Sequence, residues 1–266
     1  MAANEKPERL RRCRLFLLDM DGTLYLGDEV LPGAREFVSS LVRGGRRYIY
    51  LTNNSSRAAA DYVERLRRLG FPCEARDVLT SGMAAARYLC ERYPGARVCL
   101  VGTRALAREM ESAGITLDDE RADVVLVGFD TELDYRKLER AVHFLRRGAP
   151  FIAANPDLVC PMPRGEALPD CGSICALLEK ASGASPKYIG KPERMLADLA
   201  SELTGVPNSE ICCVGDRLYT DIACAKNADA VSALVLSGET TPEMLQSSDI
   251  VPDYVFPGVR ELGESL

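Results

Sequence analysis

The sequence is poor in histidine and in long apolar runs, and both shortages exclude whole classes of protein. It has one histidine, His143, in a predicted amphipathic helix, where we expect it to pack or to face solvent rather than to catalyse. No stretch approaches the roughly 18 apolar residues of a membrane-spanning helix. The charged start "MAANEKPERLRRCR" is followed by too short an apolar run for a signal peptide. We therefore expect a cytoplasmic protein that does not bind a membrane.

Cysteine is too sparse for a disulfide scaffold. The ten cysteines among 266 residues amount to about 4%, below the roughly 8–10% typical of such scaffolds. They fall in apolar segments such as "VCLVG" and "ICCVG", which favours free, buried thiols in a reducing compartment. Cys171 and Cys175 lie one helical turn apart, but no histidine or second cysteine pair completes a metal site, so we expect them to be structural.

The charge distribution gives no reason to expect nucleic acid as a partner. The formal net charge is −6, with acidic and basic residues interspersed. A length of 266 residues with 47% apolar content suffices for two domains, or for one domain with an insertion. A homo-oligomer stays open, because the sequence does not distinguish interface patches from core faces.

Short apolar, β-branched runs alternate with amphipathic segments along most of the chain. The predicted strands are residues 14–18, 48–51, 98–101, 124–127, 151–153, 211–214 and 233–236. The predicted helices are residues 58–69, 106–112, 135–147, 174–181 and 194–203. This alternation indicates an α/β fold with a parallel sheet.

The middle of the chain has its own strand–helix rhythm. Glycine, serine and proline cluster in "ASGASPKYIGKP", which is typical of a linker. We predict a Rossmann-like core made of residues 1–81 and 186–266, interrupted by an inserted α/β domain of residues 82–185.

Two carboxylates follow the first predicted strand, in "LLDMDGT". Asp19, held at the end of a buried strand and ionised with a reference pKa of about 3.9, can attack without a separate base. Asp21, where the chain turns, can act as general acid and then as base. Gly22 and Thr23 permit a tight turn and offer an amide or a hydroxyl to a phosphate oxygen. The alternative is an Asx-type turn without catalytic meaning.

Two other stretches offer groups for an anion. Thr52, Asn53 and Asn54 follow the second predicted strand, where we expect Ser55 to begin a helix whose N-terminus attracts negative charge. An ordinary helix cap is the alternative. Lys191, held between glycine and proline in "YIGKPE", is placed to neutralise a phosphoryl group, although a lone lysine is also a common surface charge.

A further acidic pair follows another buried strand, in "CCVGDRLYTDI". Asp216 and Asp221, five residues apart beside a glycine turn, suit a hard divalent cation such as Mg²⁺. Capping of a helix is the alternative. Ligands of open α/β sheets bind outside the carboxyl ends of the strands, so these separated stretches can converge on one site.

The ordered set "DMDGT", "TNN", Lys191 and "GDRLYTD" resembles the haloacid dehalogenase (HAD) superfamily of phosphohydrolases. The longer stretches "DMDGTLYLGDEVLPGA", "YLTNNSSR", "ANPDLVCP" and "YIGKPERM" are similar to its NagD or 4-nitrophenylphosphatase branch, over nearly all of residues 14–260. The resemblance implies that the inserted domain is an α/β cap of the C2 type. It also implies Mg²⁺-dependent hydrolysis of phosphate monoesters of small metabolites through an aspartyl phosphate.

The resemblance also implies roles for individual residues. Asp19 is expected to be the nucleophile and Asp21 the acid and base. Thr52, Asn53 and Lys191 are expected to bind the substrate. Mg²⁺ is expected at the carboxylate of Asp19, the backbone carbonyl of Asp21 and Asp216, with Asp221 and Asn54 in support. Asp229 stands where relatives commonly have glycine, and a left-handed conformation there costs about 1–2 kcal/mol, less for aspartate.

Alternatives to a phosphatase remain at this point. A phosphotransferase or mutase would use the same aspartyl phosphate, and a phospho-accepting signalling or metabolite-binding module would not turn over. A protein that keeps its phosphoryl group has no use for an acid and base beside the acceptor, so Asp21 favours turnover over a signalling role. In the cap, Asn155, Asp157 and the turn at residues 169–173 are candidates for contacting the leaving group, although Asp170 or Ser173 can equally cap the next helix.

Overall fold

The structure is a computed structural model that describes residues 5–162 and 166–266. Its helices are α1 (Glu5–Arg11), α2 (Ala34–Arg43), α3 (Ala59–Arg68), α4 (Ser81–Arg92), α5 (Arg104–Ser112), α6 (Tyr135–Leu145), α7 (Cys171–Ser182), α8 (Met195–Thr204), α9 (Ala223–Asn227), α10 (Pro242–Ser247) and α11 (Val259–Glu264). Its strands are β1 (Leu15–Asp19), β2 (Tyr25–Leu26), β3 (Glu29–Val30), β4 (Arg47–Thr52), β5 (Val78–Thr80), β6 (Arg97–Val101), β7 (Thr116–Leu117), β8 (Val124–Val127), β9 (Phe151–Ala153), β10 (Val159–Pro161), β11 (Ala167–Pro169), β12 (Lys187–Tyr188), β13 (Ile211–Gly215), β14 (Val231–Val235) and β15 (Tyr254–Phe256). A π-helical turn, Leu218–Ile222, precedes α9.

A six-stranded sheet carries the order β15-β14-β13-β1-β4-β5. Its central strands β1 and β13 are apolar and almost entirely buried, as expected for parallel strands covered on both faces. Leu18 of β1 pairs with Val214 of β13, and Asp19 pairs with Leu51 of β4. This parallel register brings the carboxyl ends of three strands to the same edge of the sheet.

A second, five-stranded parallel sheet has the order β12-β9-β8-β6-β7. Valines such as Val101 and Val127 and helix residues such as Leu178 form its apolar core. The chain runs from β6 outward to β7 and then returns to β8 on the other side of β6. The topological switch point of this sheet therefore lies between β6 and β8, where doubly wound sheets bind their ligands.

The chain divides into two compact units. The first comprises the described residues up to Thr52 together with Tyr62–Leu79 and Lys191–Leu266, and the second comprises Asn53–Asp61 and Thr80–Gly190. The predicted domains, residues 1–81 with 186–266 and residues 82–185, stay a prediction about folding units. The compact units differ from them chiefly by grouping Asn53–Asp61 with the second unit.

The predicted α/β fold with parallel sheets is confirmed, and the predicted strands match observed ones within a few residues. The expectation that Ser55 begins a helix is wrong, because α3 begins at Ala59. The side chain of Asn54 accepts hydrogen bonds from Ser56 instead, and such local bonds compete with helix formation. In the described part of the chain, all helices are too short or too polar to span a membrane.

Candidate active site

The centre of the candidate site is an ion pair between Asp19 and Lys191. Asp19 ends β1 with 16% of its side chain exposed, whereas Lys191 is almost fully buried. The ammonium Nζ of Lys191 donates to Oδ1 of Asp19 and to Oδ1 of Asp221, each at 2.5 Å. Burial disfavours the charged lysine, but the attraction of the two carboxylates outweighs burial and raises the pKa of Lys191. Lys191 is therefore a fixed positive charge and not a surface lysine.

Asp216 and Asp221 follow β13 and are buried beside Asp19. Oδ2 of Asp216 accepts the backbone N–H of Glu239 at 2.6 Å, and Oδ2 of Asp221 accepts that of Arg217 at 3.1 Å. Burial, reinforced by the charge of Asp221, raises the pKa of Asp216 to about 6. Burial is also the main cause that raises the pKa of Asp19 well above its usual value, although Lys191 opposes it.

The donor set of this cluster fits a hard divalent cation. Asp19, Asp216 and Asp221 each offer one carboxylate oxygen, and these oxygens lie within 4.8 Å of one another. Oδ1 of Asp216 is buried without a hydrogen-bond partner among the described residues. A buried carboxylate oxygen without a partner is costly, and a bound cation would satisfy it. An all-oxygen donor set is the one that Mg²⁺ prefers.

Glycines make room for these acids. A Cβ atom on Gly215 would lie 2.2 Å from Cγ of Asp221, and one on Gly22 would lie 2.4 Å from Oδ2 of Asp216. Gly22 also has a φ of +84°, which favours glycine. Gly238 was missed by the sequence analysis, and its Cβ would lie 2.0 Å from Oδ2 of Asp216. The sequence feature that could have indicated Gly238 is a small residue after an apolar strand, in "LVLSGE".

The turn after β1 is closed by its backbone. The N–H of Leu24 donates to the carbonyl of Met20, and the N–H of Gly22 donates to the carbonyl of Tyr25, each at 2.8 Å. Asp21 is exposed in this turn, so its carboxyl group is open to solvent, and its role as acid and base stays a prediction. Thr23 is fully buried, so its hydroxyl has no access to a ligand in solvent.

The predicted anion-binding residues, Thr52, Asn53 and Asn54, belong to two different units. Thr52 ends β4, which lies beside β1, and its side chain is buried within the first unit. In the second unit, the amide Nδ2 of Asn53 donates to Oδ2 of Asp157 at 2.8 Å. Asn54 accepts from the N–H of Ser56 at 2.9 Å and closes an Asx turn. Asn54 therefore shapes the loop, and a substrate-binding role of Asn53 stays a prediction.

The cap residues that we expected to contact the leaving group are buried and bonded to one another. Asn155, Asp157 and Asp170 are each less than a tenth exposed. Nδ2 of Asn155 donates to Asp157 at 2.9 Å and to Asp170 at 3.1 Å. Asp170 caps α7 by accepting the N–H of Cys171 at 2.5 Å, which is the capping alternative. Leaving-group contact by these three side chains stays a prediction, and in the structure these hydrogen bonds serve the interior of the second unit.

Arg217 was not predicted from the sequence to lie near the acidic cluster. Its guanidinium is four-fifths buried, and Nε lies 2.9 Å from Oε2 of Glu239. Burial disfavours its charge, but attraction by nearby acids, Asp19 foremost, raises the pKa of Arg217. Arg217 adds a second cation to the surroundings of the carboxylate cluster. In the sequence, the only indication that Arg217 lies near the cluster was its position directly after Asp216.

Two family models match the chain. The haloacid dehalogenase-like hydrolase model matches residues 16–116, and the HAD-hydrolase-like model matches residues 188–262. Together they cover more than half of the sequence and include every residue of the acidic cluster and Lys191. The chain therefore belongs to the haloacid dehalogenase-like hydrolases.

Similarity to individual known proteins identifies the branch of this family to which the chain is similar. The chain is 35% identical to an acid sugar phosphatase of Staphylococcus aureus, over 95% of this chain and 97% of the relative. It is 44% identical to the 4-nitrophenylphosphatase of Thermotoga maritima, with a TM-score of 0.93, over 96% of this chain and 98% of the other. NagD of Escherichia coli K-12 is 33% identical, with a TM-score of 0.86, over 94% and 98% of the two chains. The protein is thus a phosphoric monoester hydrolase of the NagD and 4-nitrophenylphosphatase type, with the capped α/β fold of that group.

Proposed function

We propose that the protein is a Mg²⁺-dependent phosphatase that hydrolyses phosphate monoesters of small metabolites through an aspartyl phosphate on Asp19. The observation that supports this most strongly is the cluster of Asp19, Lys191, Asp216 and Asp221 at the carboxyl edge of the first sheet. The name of the staphylococcal relative makes sugar phosphates the first substrates to test.

The main obstacle to this reaction is charge. A phosphate monoester is anionic, and two like unit charges ~4 Å apart repel by about 4 kcal/mol at an effective dielectric constant of 20. Lys191 supplies one fixed positive charge beside Asp19. Asp19, Asp216 and the backbone carbonyl of Asp21 would hold Mg²⁺, which supplies the remaining charge neutralisation when bound.

The protein residues then carry out two displacements. A carboxylate oxygen of Asp19 attacks phosphorus, the ester P–O bond breaks, and the leaving oxygen takes a proton from Asp21. Asp21, now ionised, accepts a proton from water as that water attacks phosphorus. The bond between phosphorus and Asp19 breaks, and inorganic phosphate leaves. Thr52 and Lys191 are proposed to hold the phosphoryl oxygens during both steps.

We also propose a cytoplasmic location and small phosphorylated metabolites as partners. All ten cysteines are free thiols, eight of them buried, which fits a reducing compartment. The net charge of −6 supports a small substrate over nucleic acid.

Product analysis tests this function. Purified protein is incubated with 4-nitrophenyl phosphate or with a panel of sugar phosphates, with Mg²⁺ or with EDTA. We expect one inorganic phosphate for each alcohol released, only with Mg²⁺, and no turnover by Asp19→Asn. The exposed carboxylate variant Asp28→Asn is the matched control and should keep wild-type activity. Phosphate on a second acceptor would indicate a phosphotransferase or mutase, and one phosphate bound without turnover would indicate a phospho-accepting module.

A further inference from the structure

The four residues after Thr52 form what we call the anchored loop, residues 53–56, whose side chains and backbone are held within the second unit. Asn53 donates from Nδ2 to Oδ2 of Asp157 at 2.8 Å. The hydroxyl of Ser55 accepts the N–H of Phe129 at 2.8 Å and donates to Oδ1 of Asn155 at 3.4 Å. These bonds come from loops that follow two strands of the second sheet, β8 and β9.

A further bond comes from the loop after β6. Oγ1 of Thr103 donates to the carbonyl of Ser56 at 3.0 Å. The anchored loop therefore contacts the residues after β6 and after β8, the two strands that flank the switch point. A Cβ atom on Gly128 would lie 2.9 Å from Oγ of Ser55, so glycine is needed for this close approach. Doubly wound sheets bind ligands at this place, and here the chain's own loop fills it.

Buried Asp157 and Asn155 connect these bonds. Ser55 and Asn155 are fully buried, and Asp157 is 7% exposed. Oδ2 of Asp157 accepts from Nδ2 of Asn53 and from Nδ2 of Asn155. Loss of this acceptor would leave two amide donors to find new partners, because buried polar groups need hydrogen bonds. The carboxylate of Asp157 is thus one of the groups that hold Asn53, together with the hydroxyl of Ser81, which donates to the backbone carbonyl of Asn53 at 2.5 Å.

We propose that Asp157 and Ser55 are positioning residues for the phosphatase reaction. They hold the anchored loop, and thereby Asn53, a proposed substrate-binding residue. Neither needs to touch substrate, and both act through Asn53. This inference rests on the proposed function, because it assigns them to the placement of a residue proposed to bind substrate.

Four variants test the proposal. Asp157→Ala removes the acceptor, Asp157→Asn keeps one carboxamide oxygen, and Ser55→Ala removes the hydroxyl with little loss of volume. Asp130→Asn is the matched control, because Asp130 is also a buried acid of the second unit but pairs with Lys137 at 2.7 Å. The readouts are kcat and KM for 4-nitrophenyl phosphate, the melting temperature, and hydrogen exchange of the backbone amides of residues 53–56.

We expect Asp157→Ala and Ser55→Ala to lower kcat, by about 100-fold for a displacement of about 1 Å. Their anchored-loop amides should exchange faster, and Asp157→Asn should restore kcat toward the wild-type value. Asp130→Asn should lower the melting temperature but leave kcat and loop exchange unchanged. If Asp157→Ala does not fold, Ser55→Ala decides alone.

Two results would overturn the positioning role. One is an unchanged kcat in Asp157→Ala and Ser55→Ala. The other is an equal loss of kcat in Asp130→Asn, which would indicate general destabilisation of the unit. Hydrogen exchange does not depend on turnover, so it separates this inference from the function itself. If wild type hydrolyses no ester, the phosphatase function fails, and unchanged exchange in Ser55→Ala would show that the loop is not held as described.

Discussion

Asp19 and Asp221 share the ammonium of Lys191 in the interior of the first unit, and a carboxylate oxygen of Asp216 lies within 4.8 Å of theirs. Buried like charges destabilise a folded protein unless counter-charges balance them. Arg217 pairs with a fourth acid, Glu239, so the acids outnumber the two cations, and this arrangement is explained by function better than by stability. The destabilisation caused by these like charges should become measurable when one of the acids is replaced.

We predict that Asp216→Asn uncouples stability from Mg²⁺. In EDTA the variant should melt at or above the wild-type temperature, because it loses one of the mutually repelling charges. In wild type, Mg²⁺ at 100 times its Kd should add about 2.7 kcal/mol to the free energy of unfolding, and the variant should gain much less. Differential scanning calorimetry measures both, with the exposed variant Asp249→Asn as control. An equal gain in Asp216→Asn would exclude this residue as a ligand.

Asp229 is the one non-glycine residue with positive φ in the described part of the chain, at 58°. We predict that Asp229→Gly raises the free energy of unfolding by about 0.5–1 kcal/mol. Glycine removes the strain of the left-handed conformation from the folded state, and this gain is larger than the free energy lost because glycine makes the unfolded chain more flexible. The ion pair of Asp229 with Arg194, at 3.9 Å and exposed, contributes little. Urea unfolding checks this, and Asp229→Ala should destabilise. A less stable glycine variant would contradict the strain argument.

At the scale of elements, Glu109 of α5 joins the starts of two other helices. Its carboxylate accepts from the hydroxyl of Thr80, the residue that caps α4, and from the N–H of Ala59, the first residue of α3. Burial is the main cause that raises the pKa of Glu109 to about 7, and both hydrogen bonds oppose it. This acid therefore holds its proton in the folded protein at a pH where the unfolded chain has lost it.

This shift predicts a pH-dependent stability. Below about pH 4.5 Glu109 is protonated in both states, and its contribution is fully present. Between about pH 4.5 and 7 the folded state binds more protons than the unfolded state, so stability falls as pH rises. Glu109→Gln should remove this decline and stabilise the protein at pH 8 by up to about 3 kcal/mol.

Urea unfolding at pH 5 and at pH 8 measures the difference. Glu111→Gln, an exposed acid of the same helix, is the control and should reproduce the wild-type dependence. A Glu109→Gln variant with the wild-type decline would show that another group is responsible.

Long, periodic elements could be predicted from the sequence, whereas short ones could not. The strand at residues 124–127 and the helix near residues 58–69 carry enough apolar periodicity to be recognised. The strand β5 has three residues and carries no such signal. The expectation that Ser55 begins a helix failed because the bonds that hold Ser55 come from Phe129 and Asn155, far away in sequence.

At the scale of the whole molecule, the convergence of Asp19 with Asp216 followed from one rule, which does not cover Lys191, because β12, the strand before Lys191, belongs to the second sheet. Parallel strands present their carboxyl ends at one edge, so residues almost 200 positions apart in sequence were expected to meet. The same rule does not predict how individual side chains pack. The burial of Arg217 against Glu239 and the bonds of Asn53 to Asp157 depend on tertiary contacts that no local pattern encodes.

The proposed mechanism requires a covalent phosphoryl group on Asp19, and rapid acid quench of Asp21→Asn with 4-nitrophenyl phosphate detects such a group. The nitrophenolate leaving group needs no proton, so the first displacement should proceed while hydrolysis is slowed. Peptide mass spectrometry should then locate one acid-stable phosphoryl group on Asp19, and none after the further change Asp19→Asn. Release of nitrophenolate without any phosphorylated peptide, or with the phosphoryl group on another residue, would contradict the mechanism.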